Sequence, residues 1–210
     1  LIFINEMLYK KQIKKTQKID LPIISVGNIE AGGTGKTPFV IYLVKILKDS
    51  GFKPMVISRG YKRHGKQTII VHDGEKIQNS VSTSGDEPYH MALNLGTVPI
   101  IVSNDKIDAI QTGLNTYDIN VIILDDGFQS RKIERDLDIV LINGSRSDAL
   151  FRLIPFGLLR EPLKALCRAN IIFLTKLYKP NKKIINQLPP DKLKGNLGFR
   201  GTLVQYHYEN

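Results

Sequence analysis

The sequence has one cysteine and no tryptophan. The single cysteine, Cys167, excludes a framework of intramolecular disulfides and suits a reducing compartment. Cys167 lies beside Leu166 and Ala169 in a helix-like run, so we expect its side chain to be buried. No apolar run approaches the roughly 20 residues that a membrane-spanning helix needs. The chain starts at Leu1 rather than at methionine, and we expect residues to be missing in front of it.

Acidic residues are scarce relative to basic ones. The 210 residues include 30 Lys and Arg against 20 Asp and Glu, which gives a formal net charge of +10. This balance favours an anionic partner, such as a nucleotide, a phosphorylated substrate, a phospholipid surface or a nucleic acid. The four histidines show no metal-ligand spacing. A hydrophobic fraction of 42% is ordinary for one globular domain, or for one domain with a small appendage.

The most specific pattern is a glycine-rich turn, Gly32-Gly33-Thr34-Gly35-Lys36-Thr37. A buried apolar run, Ile23–Val26, precedes the turn, and a helix pattern over Pro38–Ser50 follows it. Backbone N–H groups in such a turn can surround phosphate oxygens, and the helix N-terminus adds a positive partial charge. Lys36 is placed to reach the β- and γ-phosphates, and Thr37 to bind Mg²⁺. The alternative is a glycine-rich turn with a structural role alone.

Strand and helix patterns alternate along the rest of the chain. Near-continuous apolar runs end at Ser58, Val102, Leu124, Ile142 and Leu174. This alternation predicts an α/β fold with a mostly parallel sheet and helices on both faces. Residues 1–18 differ, because an apolar and aromatic stretch runs into five lysines. They predict either a basic amphipathic helix on an anionic membrane or a helix packed on its own domain.

Two acidic pairs are placed for chemistry. Asp125 and Asp126 follow a buried strand, where open α/β sheets bind their ligands, so they could hold Mg²⁺ beside nucleotide phosphates. The alternative for this pair is a turn begun by Asp-Asp-Gly. Asp86 and Glu87 follow Gly85 at a helix start. They are either helix-capping residues or a general base with a neighbour near the metal.

Three further charged residues lie in or near these motifs. Arg160 and Glu161 precede Pro162 and form either a salt-bridged helix start or a charge clamp on a transferring phosphoryl group. Glu30 stands where the full phosphate-loop pattern has its first glycine. The remaining Gly-Gly-x-Gly-Lys-Thr is still far more specific than a glycine-rich loop alone, because a strand precedes it and a helix follows.

Five motifs occur in one order along the chain: Val26-Gly27-Asn28 before Gly32–Thr37, Ser58-Arg59-Gly60-Tyr61, Gly85-Asp86-Glu87-Pro88, Asp125-Asp126-Gly127-Phe128-Gln129 and Leu159-Arg160-Glu161-Pro162. Together they resemble the tetraacyldisaccharide 4′-kinase family of lipid A biosynthesis, and the resemblance covers residues 1 to about 176. It implies a P-loop NTPase-like kinase that transfers the γ-phosphate of ATP to the 4′-hydroxyl of tetraacyldisaccharide 1-phosphate. It also implies a monomer at the cytoplasmic face of a bacterial inner membrane, peripheral or shallowly inserted on an anionic surface.

The resemblance implies a role for each matching residue. The catalytic set would be Asp86 as base with Lys36, Arg160 and Glu161. The nucleotide-binding set would be Gly32, Gly33, Thr34, Gly35, Lys36 and Thr37. The Mg²⁺ set would be Thr37, Glu87, Asp125 and Asp126.

The resemblance also divides the chain into parts. It implies a membrane-docking helix over residues 1–19, a P-loop kinase core over 20–176, and a linker with the start of an incomplete C-terminal lobe over 177–210. Two features depart from the family. Ser130 replaces its usual histidine after Gln129, and no histidine here matches the one that partners its catalytic aspartate. We therefore expect either a fragment or a shortened relative.

Two other functions compete with the kinase. Membrane-associated regulatory or positioning P-loop ATPases also use Gly-Gly-x-Gly-Lys-Thr, but they place a lysine directly before the paired glycines, where this chain has Ala31. A nucleic-acid-binding NTPase would suit the positive charge. No array of stacking aromatic residues or recognition motif accompanies that charge, so we expect no nucleic-acid partner.

Overall fold

The structure is a computed structural model that describes residues 16–197 and 203–204. The predicted N-terminal helix falls almost entirely on residues 1–15, which lie outside the described residues. The strands are β1 (Ile23–Gly27), β2 (Pro54–Ser58), β3 (Ile69–His72), β4 (Ile100–Val102), β5 (Val121–Asp125), β6 (Leu137–Asn143), β7 (Ile171–Thr175), β8 (Leu193–Leu197) and β9 (Leu203–Val204). The helices are α1 (Lys36–Asp49), α2 (Val81–Ser84), α3 (Asp86–Leu95), α4 (Lys106–Thr116) and α5 (Lys182–Ile185), with 3₁₀ helices at Asp148–Leu150 and Leu163–Arg168.

The strands form one sheet in the order β3-β4-β2-β5-β1-β6-β7-β8-β9. Every neighbouring pair is parallel except β3 with β4 and β8 with β9. The strand before the glycine-rich turn, β1, lies between β5 and β6, so that Ile24 is opposite Ile123 on one side and Leu137 on the other. The predicted mostly parallel sheet is confirmed.

Both faces of the sheet are covered, as predicted. Along β5, Val121 and Ile123 belong to the core on one face, and Ile122 and Leu124 to the core on the other. Helices α1 and α3 pack on the first face and α4 on the second. Because side chains alternate between two buried faces, the central strands read as continuous apolar runs in the sequence.

Helix α1 begins at Lys36, two residues before the predicted start at Pro38. Its first turn therefore contains Lys36 and Thr37. The helix ends at Asp49, and Gly51, two residues further on, has a φ of +84°. The N–H of Gly51 donates to Lys48 O and that of Phe52 donates to Leu47 O, at 2.9 Å each. This pairing satisfies the last carbonyls of the helix and turns the chain towards β2.

The prediction that Cys167 is buried is wrong, because its side chain is exposed. Cys167 lies in the 3₁₀ helix Leu163–Arg168, which turns Leu166 inward and directs Cys167 to the surface. Beyond residue 176, β8 pairs in parallel with β7 and so extends the same sheet. The domain boundary at residue 177 stays a prediction. Among the described helices, none is long and apolar enough to cross a bilayer.

Candidate active site

The glycine-rich turn connects β1 to α1 at the carboxyl end of the sheet. Gly32 and Gly35 have φ values of +98° and +85°, a backbone conformation that glycine adopts at little cost. The Asn28 amide donates to the Thr34 hydroxyl at 2.8 Å, and the Thr34 carbonyl accepts from the Thr175 hydroxyl at 2.9 Å. These contacts hold the turn between β1 and the end of β7.

Glu30 connects the turn to β6. Its side chain is 1% exposed, accepts the Asn143 N–H at 2.7 Å and pairs with the Arg146 guanidinium. Burial raises the pKa of Glu30, while the Asn143 hydrogen bond and the Arg146 charge oppose that rise. The residue that departs from the phosphate-loop pattern therefore fastens the loop to the neighbouring strand.

A cavity of about 780 Å³ lies above the turn. Its walls come from the turn itself and from the ends of β2, β5 and β7. The predicted site residues that line it are Gly32, Gly33, Thr34, Gly35, Lys36, Thr37, Glu87, Asp125, Asp126 and Arg160. The structure thus brings together ten residues that are spread over about 130 positions of sequence.

Asp125 is buried at the end of β5. Its Oδ2 accepts the Ser58 hydroxyl at 2.7 Å, whereas its Oδ1 has no hydrogen-bond partner among the described residues. Burial raises the pKa of Asp125, and the charge of Lys106 opposes that rise. A buried carboxylate oxygen without a partner, facing a cavity, is suited to a cation.

Asp126 has a φ of +50° and turns its carboxylate towards Arg160. The guanidinium of Arg160 donates to both carboxylate oxygens at 2.8 and 2.9 Å, and Lys36 Nζ lies 3.5 Å from Oδ1. Burial by itself raises the pKa of Asp126, but these cations outweigh it and hold the pKa well below its usual range. Asp126 is therefore a carboxylate at neutral pH.

Asp86 and Glu87 are the first two residues of α3, and both are exposed. Gly85, rather than Asp86, is the N-cap residue, and no side chain caps this helix. Glu87 lines the cavity, whereas Asp86 is next to it and is not among the lining residues. Although the Glu87 residue is exposed overall, its carboxyl is partly desolvated at the cavity wall, and this desolvation, together with the nearby charges of Asp125 and Asp126, raises the pKa of Glu87.

Glu161 lies away from the cavity, although Arg160 lines it. The Glu161 carboxylate is buried and accepts hydrogen bonds from Gln129, Arg131 and Arg168 at 3.0–3.1 Å. Arg160 therefore faces the cavity, whereas the Glu161 carboxylate faces a buried cluster of cations. The catalytic role of Glu161 stays a prediction, and so do the roles of the other site residues.

Sequence reasoning missed two lysines. Lys106 donates from Nζ to the backbone carbonyls of Asp125 and Asp126, and burial lowers its pKa to about 8. A lysine in the first turn of a helix opposes the helix dipole, and this signal could have identified Lys106. Lys176 lines the cavity directly after β7. A charged residue at the carboxyl end of a buried parallel strand is a comparable signal. Ser130, where the family usually has histidine, is not among the cavity-lining residues.

The arrangement can bind a polyphosphate. It combines backbone N–H groups at a helix N-terminus, the cation of Lys36 and the carboxylates of Asp125 and Asp126. Within the described residues, no cluster of three His, Cys, Asp or Glu side chains forms a metal cage. Mg²⁺ is commonly held by one or two carboxylates together with substrate phosphates, which fits the β5 pair.

Comparison with known proteins decides the family. A family model described as Tetraacyldisaccharide-1-P 4'-kinase matches residues 1–206. The chain belongs to this family.

The tetraacyldisaccharide 4'-kinase family also supplies close relatives. The enzyme of that name from Halothermothrix orenii is 41% identical over 209 residues, which is 99% of this chain and 51% of the relative. The one from Aquifex aeolicus is 45% identical over 168 residues, 80% of this chain and 52% of the relative. A crystal structure of LpxK from Aquifex aeolicus in complex with ATP has a TM-score of 0.79 and 43% identity, and covers 86% of this chain and 56% of that one.

Membership of the tetraacyldisaccharide 4'-kinase family confirms the resemblance and the α/β fold predicted with it. The chain spans about half the length of the curated relatives it matches.

Proposed function

We propose that this chain is the nucleotide-binding part of a lipid kinase. It transfers the γ-phosphoryl group of ATP to the 4′-hydroxyl of tetraacyldisaccharide 1-phosphate and so forms lipid IVA. The observation that carries the proposal is the meeting of the glycine-rich turn, the β5 carboxylates and Arg160 in one cavity. Family membership supports the lipid acceptor, and the ATP complex of a 43% identical relative supports the donor.

The nucleotide phosphates bind to the turn in this proposal. Gly32 to Thr37 present backbone N–H groups, and Lys36 neutralises the β- and γ-phosphates. Lys36 lies 3.5 Å from Asp126 in the structure, so the amine exchanges part of its carboxylate contact for phosphate when the nucleotide binds. Arg160 remains on Asp126 and compensates its charge during that exchange.

The residues present fit Mg²⁺. Asp125 Oδ1 has no partner among the described residues, and Asp126 is ionised, so both can contact the cation. Thr37 and Glu87 complete the proposed set, because both line the cavity. When bound, Mg²⁺ neutralises charge on the β- and γ-phosphates.

Asp86 is the proposed general base. It takes the proton of the 4′-hydroxyl while that oxygen attacks the γ-phosphorus, and the bond from the γ-phosphorus to its bridging oxygen breaks to leave ADP. The position of Asp86 at the start of α3, next to the cavity-lining Glu87, supports this role. Because phosphoryl transfer needs mainly positioning and charge stabilisation, Lys36 and Arg160 supply the rest. Glu161 stays in the proposed catalytic set; because its carboxylate pairs with Arg131 and Arg168 rather than lining the cavity, it would act by positioning the preceding residue, Arg160.

The same proposal includes a membrane contact. The protein would act as a monomer, peripheral or shallowly inserted at the cytoplasmic face of a bacterial inner membrane. Leu153, Ile154 and Phe156 are exposed in the segment before Arg160, and Phe156 is 83% exposed. Exposed apolar side chains on a protein of net charge +10 favour an anionic bilayer surface. The docking helix at residues 1–19, the kinase core at 20–176 and the beginning of a further lobe at 177–210 are part of this proposal.

Transfer of labelled γ-phosphate tests the function. The acceptor is tetraacyldisaccharide 1-phosphate in detergent micelles with Mg²⁺. The proteins are this chain and the same chain joined to the C-terminal half of the Aquifex aeolicus relative, each with Asp86 or with Asp86→Asn. Asp118→Asn is the matched control, because Asp118 is an exposed aspartate that pairs with the exposed Lys53 and does not line the cavity.

We expect transfer in the longer protein, a loss of 100-fold or more with Asp86→Asn, and no change with Asp118→Asn. Transfer by the short chain as well would place the whole catalytic set within it. Steady ATP hydrolysis without lipid phosphorylation in either protein would contradict the proposal and favour a regulatory P-loop ATPase.

A further inference from the structure

The wall of the cavity also includes the end of β7, which carries none of the residues assigned above to the phosphate and metal sets. Thr175 and Lys176 form its wall there. The metal carboxylates lie at the other side, at the end of β5. In the sheet order β5-β1-β6-β7, three strand spacings separate these two ends, a distance of about 14 Å.

The strand order β5-β1-β6-β7 indicates which end of the nucleotide lies over which strands. Lys36 and Asp126 are 3.5 Å apart on the β5 side of the turn, which places the terminal phosphate and the cation on that side. The phosphate chain then runs across the turn. With the contacts proposed above, the nucleoside would lie on the opposite side of the turn, towards β6 and β7, where Lys176 lines the cavity.

Lys176 is held in an uncommon backbone conformation at this point. Its φ is +55°, a conformation that is unfavourable for a residue other than glycine and that persists only where surrounding contacts impose it. The Ser145 hydroxyl donates to the Lys176 carbonyl, and the Gly144 N–H donates to the Thr175 carbonyl at 2.9 Å. The end of β6 therefore fixes the turn that carries Lys176.

The side chain of Lys176 is directed to the phosphate turn. Its Nζ lies 3.6 Å from the point at which Gly33 would carry a Cβ atom. The preceding residue, Thr175, donates its hydroxyl to the Thr34 carbonyl at 2.9 Å. The amine therefore lies close to Gly33, and the four-carbon stem connects it to the end of β7, where Lys176 lines the cavity. A lysine stem can pack against an apolar surface while its amine stays in a polar environment.

We propose that Lys176 is a nucleoside-binding residue, whose stem packs against the base and ribose of the bound nucleotide while its amine remains over Gly33. The proposal rests on the proposed function, because it assumes that a nucleotide occupies this cavity. It adds a specificity-determining contact at the β7 side of the site.

Calorimetric binding to the full chain tests the contact with two probes in the presence of Mg²⁺. ATP carries the nucleoside, and inorganic tripolyphosphate carries the phosphates alone. The variants are Lys176→Ala, which removes the stem, and Lys176→Met, which keeps most of the stem and removes the charge. Lys179→Ala is the matched control, because Lys179 is an exposed lysine three residues further on and does not line the cavity. Thermal unfolding of each variant checks that the fold is intact.

We expect Lys176→Ala to weaken ATP binding about tenfold, which corresponds to about 1.4 kcal/mol, and to change tripolyphosphate binding less than twofold. Lys176→Met should keep ATP binding within threefold of the unchanged chain. Equal weakening of both probes, or Lys176→Met as weak as Lys176→Ala, would overturn the proposal, because the lysine would then be a phosphate contact. If the folded unchanged chain bound neither probe, the proposed function would fail together with this one; binding of both with no effect of Lys176→Ala would overturn this proposal alone.

Discussion

The buried ion pair of Glu30 and Arg146 allows the stability lost on removing one partner to be predicted. Arg146→Met removes the cation but keeps a side chain of similar length. The Glu30 carboxylate, 1% exposed, then retains only the Asn143 N–H of its observed partners. Breaking a buried pair in this way costs about 3–5 kcal/mol. Because the Arg146 side chain is 17% exposed, we expect the lower end, about 3 kcal/mol. For a chain of this size the midpoint of thermal unfolding should fall by roughly 6–12 °C.

The loss of stability in Arg146→Met should depend on pH. Burial already raises the pKa of Glu30, and removing Arg146 takes away a charge that opposes this rise. A carboxyl whose pKa is higher in the folded state retains a proton that the unfolded state releases above about pH 4.5. The free energy of unfolding of Arg146→Met should therefore fall as the pH rises above about 4.5. Near pH 4.5 the stability of the variant should approach that of the unchanged protein.

Urea denaturation followed by circular dichroism at pH 5 and pH 8 measures this difference. In the double variant Glu30→Gln/Arg146→Met, an amide oxygen can still accept the Asn143 N–H, so most of the loss at pH 8 should be recovered. The control is Lys183→Met, which breaks the exposed pair with Asp148 and should change stability by less than about 1 kcal/mol. Equal destabilisation by Arg146→Met at both pH values, or a double variant no more stable than the single one, would refute the argument.

Three further changes have defined outcomes. Gly27→Ala places a Cβ atom 2.5 Å from Phe128 Cβ and 2.9 Å from its backbone nitrogen, so we expect a loss of about 1–3 kcal/mol in urea denaturation; an unchanged midpoint would contradict this. Asp105→Ala removes the oxygen that accepts the Ile107 N–H at the start of α4 and should cost about 1 kcal/mol in the same assay, with Asp105→Asn close to neutral. Asp73 accepts the N–H groups of Glu75 and Lys76, which lowers its pKa to about 2. A lowered pKa stabilises the fold above the unfolded value near 3.8, so Asp73→Ala should lower the thermal midpoint at pH 7, and the difference should shrink as the pH falls below 4.

The central strands could be predicted closely because burial on two faces leaves a strong pattern. The apolar run that ends at Leu124 stops one residue before the end of β5, and the helix predicted over Pro38–Ser50 begins two residues after α1 and ends one residue beyond it. In contrast, β8 contains Lys194, Gly195 and Asn196 and has no apolar run to reveal it. It becomes a strand because the edge of β7 offers hydrogen-bonding partners, which no local pattern records.

In the candidate site, too, local motifs could be predicted and contacts between distant residues could not. The glycine-rich turn and the β5 carboxylates are local motifs, so their meeting at one edge followed from the parallel sheet. The contact of Glu30 with Asn143 joins residues 113 positions apart, and no spacing rule could pair them. Arg160 and Glu161 are adjacent in one motif, but only the three-dimensional structure shows that one faces the cavity and the other a buried cluster of cations.

The central position of β1 has a consequence for synthesis of the protein. Ile23 is opposite Ile122, and Ile24 is opposite Leu137, so both neighbours of β1 lie about 100 residues further along the chain. A ribosome that adds 5–20 residues per second needs roughly 5–20 s to cover that distance. During this interval an apolar strand with two unpaired edges has left the ribosome before either partner exists. Newly made chains should therefore depend on chaperones for seconds, and stalled translation before residue 121 should yield aggregation-prone products.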